Sequence, residues 1–229
     1  MLGRNLEKLS HTIRNVAGRN SLAGNLRKRA IMRFTEKAGF VYFGSVDQYH
    51  DDHHIIRGLT VSSSHRDNHY SVGSFEGYDV SLVDRVDVLE TTGGHYKTHK
   101  WLILEVDLHH AGDLPHLFLG SHNHRNSSYA KLFTAFPALQ PVPLGTFEPH
   151  SDEFKQRYSL FAAPSHFIEV EAYFTAMMTR TIAAHFWPLA VEISEGSLFV
   201  YSDSQVVTTQ LLEVMLKNGL WLARQIDAR

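Results

Sequence analysis

The sequence predicts an α+β fold: an antiparallel β-sheet with packed helices, an N-terminal basic amphipathic helix and a C-terminal helix. Three observations carry this prediction. Apolar residues recur at helical spacing near both ends of the chain. Between Phe40 and Leu119 the period changes to two, with Val, Ile, Tyr, Phe and Thr prominent. Glu76-Gly77 and Glu195-Gly196 each separate two apolar runs, as tight hairpin turns do. Strands first and helices interleaved later argue against a parallel, doubly wound sheet.

Taken in order, Leu2, Leu6, Leu9, Ile13 and Val16 alternate steps of four and three, so on a helix they form one narrow stripe. Arg4, Lys8, His11 and Arg14 fall on the opposite face. Gly18 and Gly24 interrupt the pattern, and a second helix is expected from about Asn25 to Ala38, ended by Gly39 in the left-handed position. Residues 1–38 are therefore read as a basic helical arm and 39–229 as a single α+β domain. Strands are expected at Val41–Val46, Ile55–Ser63, His69–Phe75, Tyr78–Val88, Lys100–Leu108 and Leu117–Leu119. In the fifth, Leu102, Leu104, Val106 and Leu108 point one way, toward the core, and Trp101, Ile103, Glu105 and Asp107 the other.

Pro137, Pro141, Pro143 and Pro149 exclude a long helix or central strand between Gly120 and Asp152, leaving room for a short helix at Ser128–Phe136. A strand is expected at Arg157–Ala163. Pro164-Ser165 then opens a helix on which Ile168, Ala172, Met177 and Ile182 recur, with Pro188 after its end. The hairpin Leu189–Ser194 and Ser197–Ser202 follows. Asp203 or Ser204 can cap a final helix bearing Val207, Leu211, Leu212, Met215, Leu222 and Ile226.

The absence of cysteine removes disulfides, thiolate metal sites and thiol catalysis together. Nowhere do about 18 apolar residues run together, and the first stretch has no signal-peptide core, so a soluble, cytoplasmic chain is expected. The formal net charge of −2 hides an asymmetry: residues 1–33 hold eight Lys or Arg against Glu7, a net +7, while the remainder holds 14 against 23, a net −9. One sign concentrated in this way suggests that the arm has a partner of its own.

Sixteen histidines include the cluster His50-Asp51-Asp52-His53-His54 and the pairs His65/His69, His95/His99, His109/His110 and His122/His124. Imidazole and carboxylate suit Zn, Fe or Mn, with His50, His53 and His54 the first candidates, yet no His-Glu-x-x-His occurs and most pairs fall in turns, so no bound metal is expected. His116 is expected to satisfy a backbone carbonyl. Asp84, Asp87 and Glu90 are expected to face water, and Phe174, Met177 and Met178 to lie in the core. Gly73-Ser74-Phe75-Glu76-Gly77 places its Ser off the centre of a nucleophile elbow, and no phosphate-binding loop is present.

The segments Gly39-Phe40, Ile56-Arg57-Gly58, Thr98-His99-Lys100-Trp101, Leu114-Pro115-His116, Phe174-Thr175-Ala176-Met177-Met178 and Val191-Glu192-Ile193 resemble an uncharacterised bacterial domain family, over roughly 33–202. The chain departs from its pattern at Gly145, Gly120 and His122. The resemblance implies the same α+β domain, in relatives that often carry membrane helices ahead of it, and implies no activity.

The expected function is therefore a non-enzymatic interaction or scaffold domain, cytoplasmic and peripheral to the membrane. Its contacts are Leu2, Leu6, Leu9, Ile13, Arg14, Arg27, Lys28 and Arg29, meeting an anionic membrane surface, a protein partner or a second copy, with no cofactor. A metal-dependent enzyme using the histidine-rich loops and nucleic-acid attachment through the arm are the alternatives. The dispersed aromatics Tyr70, Tyr78 and Trp101 and the acidic body make nucleic acid the poorer partner.

Overall fold

A computed structural model describes residues 22–46, 65–90, 96–109, 114–122 and 137–228. The stripe Leu2–Val16, the strand expected at Ile55–Ser63, the helix expected at Ser128–Phe136 and His50, His53 and His54 lie outside these residues. Helix α1 (Leu22–Ala38) leads through Gly39, at φ 74°, into β1 (Val41–Val46). Strands β2 (Arg66–Phe75), β3 (Tyr78–Glu90), β4 (Tyr96–Asp107), β5 (Leu117–Ser121) and β6 (Gln140–Pro141) follow. Next come α2 (Asp152–Arg157), β7 (Tyr158–Ala162), a 3-10 turn at Pro164–His166, α3 (Phe167–Tyr173) and α4 (Ala176–His185). The hairpin β8 (Ala190–Ser194) and β9 (Ser197–Ser202) precedes the last helix, α5 (Thr209–Asp227).

Among the described residues the nine strands form one antiparallel sheet in the order β1-β2-β3-β4-β9-β8-β5-β7-β6, which with its helices makes the expected α+β fold. Glu76-Gly77 and Glu195-Gly196 turn two of its hairpins, and all four residues have positive φ, the conformation that a two-residue turn of this hand requires. The first four strands and the C-terminal hairpin meet at the centre of the sheet, where β4 pairs with β9 from Leu102↔Ser202 to Asp107↔Ser197.

One face carries the main core. Leu82, Leu102, Leu104, Leu119, Val191 and Val200 lie beneath Ile31 and Phe34 of α1, Ile182 of α4 and Leu212, Met215 and Leu222 of α5. The last helix sits close to the sheet because Gly219 has no side chain; a Cβ there would lie 3.3 Å from Val200 and 3.4 Å from Leu104 and Val106. With Ile31 and Phe34 buried, α1 is packed into the body, although the sequence groups it with the arm.

Several expectations are corrected. Trp101 and Ile103, on the side away from Leu102, are buried in a second cluster with Val83, Phe118, Phe199 and Tyr201, so both faces of the central strands are apolar. Asp84 and Asp87 are buried where a solvated face was expected. The helix after Pro164 is broken in two: Phe174 ends α3, and Thr175 caps α4, its hydroxyl accepting from Met178 N. The break changes the phase, burying Phe174 and Met178 and leaving Ile168 and Met177 in solvent. The cap of α5 is Thr208, which accepts from Leu211 N, and not Asp203 or Ser204. Helix α2 was not expected; Ser151 caps it, acids open it and bases close it, but only Phe154 is buried, too little to give a period.

Candidate functional site

The candidate site is the outer face of α1. Residues 27, 31, 34 and 35 share the side of this helix that meets the sheet, which leaves Leu26, Lys28, Arg29, Met32 and Arg33 on the other half, all exposed. Leu26 is 63% and Met32 42% exposed, so two apolar side chains stand among three cations, with Glu36 at the end of the face.

Of the expected contact residues, Arg27 is corrected. Its Nε and Nη2 donate to Asp84 Oδ2 and Oδ1 at 2.6 and 2.8 Å, and Nη1 donates to Ser204 O at 3.1 Å, all at a nearly dry position. The guanidinium is thus turned inward and fixes the helix, while its neighbours Lys28 and Arg29 are turned outward. The same bond to Ser204 holds the loop before α5 against the start of α1, and in that loop Val206 is 71% exposed. Lys37 adds an exposed ion pair with Glu213 of α5 at 2.6 Å. No helix among the described residues is long and apolar enough to cross a membrane.

Elsewhere several polar groups have structural partners. His116 brings its Nε2 to 2.7 Å from Glu192 Oε1, and Tyr201 donates its hydroxyl to Oε2 at 2.7 Å. The buried Glu192 carboxylate has a partner on each oxygen and orients the imidazole. A single charge inside the apolar run Val191-Glu192-Ile193 was the sequence signal for this centre. His122 bridges Gln156 O and the Ser159 hydroxyl at 2.6 and 2.7 Å, tying β5 to β7. On the side of the sheet away from α1, a cleft of about 520 Å³ is lined by Asp79, Glu105 and Asp107 with Tyr70, Ser74 and Ser81. Burial pushes the Glu105 carboxyl up, although Ser81 donates to it at 2.8 Å. No group of three or more His, Asp or Glu that could hold a metal ion occurs among the described residues.

Glu171 of α3 reaches the loop before α2. Its Oε1 accepts from the backbone N–H groups of Gly145 and Thr146 at 2.6 Å and of Phe147 at 3.4 Å, with Gly145 at φ 111° aiming the loop. Burial alone raises a carboxyl, but these hydrogen bonds outweigh it and hold Glu171 below its ordinary value of 4.5. A depressed carboxyl stabilises the fold above that value and loses its contribution as the pH falls through the folded value. The stability difference between the parent and Glu171→Gln is therefore expected to be largest near neutral pH and to shrink below pH 4.5, as read from urea midpoints across the range. A difference that is the same at every pH would contradict this.

No family model matches the chain, and no curated protein matches it. Among solved structures, the crystal structure of the mycobacterial trehalose monomycolate transport factor A, TtfA, is similar with a TM-score of 0.54 at 11% identity, over 88% of this chain and 92% of that one. At that identity the likeness is one of fold.

Proposed function

We propose that this protein is a non-enzymatic interaction domain that attaches to an anionic membrane surface through residues 1–33, the sheet serving as the scaffold that presents them. The observation that carries the reading is the outer face of α1. Lys28, Arg29 and Arg33 stand free of the core beside exposed Leu26 and Met32, on a helix held rigid by Arg27 and Asp84. Ahead of this face the chain adds Arg4, Lys8, Arg14 and Arg19 and the stripe Leu2, Leu6, Leu9, Ile13 and Val16. Cations beside apolar side chains meet lipid headgroups and the acyl boundary together. A neighbour in fold that is a transport factor is in keeping with a role that needs no catalytic site.

Each Lys or Arg at such a surface contributes about 1 kcal/mol, so replacing Lys28, Arg29 and Arg33 together with Gln removes about 3 kcal/mol, or about 100-fold in partitioning. Co-sedimentation with vesicles of phosphatidylglycerol and phosphatidylcholine is expected to show binding of the full chain to the anionic vesicles at low salt. It should weaken in the triple variant and be abolished by high salt. Equal binding to purely zwitterionic vesicles, or unchanged binding by the triple variant, would overturn the reading.

A further inference from the structure

The apolar and cationic residues of the attachment surface continue past α1 onto a loop that α1 itself holds. Leu26 and Lys37 are eleven residues apart, about three turns of helix, and so lie on the same side of α1. That side meets the last helix. At one end Lys37 bonds Glu213 of α5, and at the other Arg27, next to Leu26, donates to Ser204 O in the loop that leads into α5. Leu26, 63% exposed, therefore stands beside Val206 of that loop, 71% exposed. The loop is not a free tip. Ser204 donates its hydroxyl to Val206 O at 2.7 Å, Val207 is buried in the main core, and Thr208 caps α5. Val206 is thus held outward between anchored neighbours.

Resting on the attachment role proposed above, we infer that the loop 203–208 is a second lipid contact, in which Val206 enters the acyl boundary beside Leu26 and sets the protein down with its α1–α5 layer flat on the anionic membrane. The other form of the same attachment is a tether, which would hold the body away from the lipid. Charge favours the flat arrangement. Apart from the pairs Arg27–Asp84, Lys37–Glu213 and Arg224–Glu76 and the inward Asp227, the charges of α1, the loop and α5 are Lys28, Arg29, Arg33 and Lys217 against Glu36 and Asp203, four minus two, or +2. The other side of the sheet carries the cleft of Asp79, Glu105 and Asp107, which an anionic surface repels. Leu26, Met32 and Val206 supply three exposed apolar points on the cationic layer, and three points fix a plane.

The absence of native cysteine makes the test direct. Val206→Cys and two controls at exposed positions, Phe43→Cys on β1 and Ile168→Cys on α3, are each labelled in the full chain with a polarity-sensitive fluorophore and mixed with vesicles of phosphatidylglycerol and phosphatidylcholine. The Val206 probe is expected to shift to the blue and to be quenched by lipids brominated in the acyl chain, while both control probes stay as they are in water. In unlabelled protein, Val206→Ser should weaken partitioning onto the vesicles about tenfold, the worth of burying one such side chain. Its urea midpoint should not move, because Val206 is exposed in the free protein. Vesicle binding by the parent with no response from the Val206 probe, or with unchanged partitioning of Val206→Ser, would overturn the second contact and leave a tether. Equal responses from all three probes would overturn it as well, since the body would then have no fixed side toward the lipid. A parent that does not sediment with anionic vesicles ends the attachment role, and this inference with it.

Discussion

Replacing Asp67 with Ala is expected to destabilise the fold by about 3–5 kcal/mol, since it removes the carboxylate that accepts from two N–H groups of the buried Arg85 guanidinium. Arg85 Nε and Nη2 donate to the two carboxylate oxygens of Asp67 at 2.7 Å each, and both residues are almost wholly buried between β2 and β3. A fork-shaped pair of this kind loses far more when one half is removed than it contributes over an apolar pair of the same volume. The double replacement Asp67→Leu with Arg85→Met should therefore recover most of the loss. Thermal melts check this, with about 10 °C expected for the single variant in a chain of this size. A single variant that melts within a degree or two of the parent would mean that the pair does not hold the two strands.

Leu212→Asp is expected to be as damaging. Leu212 is fully buried at the interface of α5 with the sheet, beside the close approach made at Gly219. Cutting a core Leu back to Ala already costs about 2–5 kcal/mol, and a carboxylate adds the cost of burial without a partner. Leu211, one residue earlier and only partly buried, is the internal comparison; Leu211→Asp should lose less than half as much. Urea midpoints at neutral pH measure both. Equal losses would place α5 in a different rotation on the sheet.

The hairpins and the last helix were legible because their signals are local: a Glu-Gly turn between two apolar runs, and an apolar stripe with its own period. Contacts between residues far apart in the chain were not legible. Asp84 reads as one of several acids on a strand until a partner 57 positions away, Arg27, is placed over it. Glu192 and His116 are separated by 76 positions. The run Arg27-Lys28-Arg29 looks uniform as sequence, and only the rotation of α1 on the sheet separates the inward arginine from its two outward neighbours. The misplaced Ile168 and Met177 have another origin. Their spacing fits one continuous helix, and nothing in the spacing shows that Thr175 starts a new one. The candidate site was half legible in consequence: its charge was visible, and its geometry needed the fold.

The pairing of β4 with β9 also sets the order of events in folding. Its partners lie about 90 to 100 positions apart in the chain, so the middle of the sheet cannot close while the C-terminal hairpin is still being made. During synthesis β4 waits as an open edge bearing Leu102, Ile103, Leu104 and Val106, the kind of edge onto which another nascent chain can pair. Loop closure over such a distance makes this a slow folder for its size, and the interval in which β4 stands unpaired is the one in which a chaperone holding that edge has the greatest influence on yield.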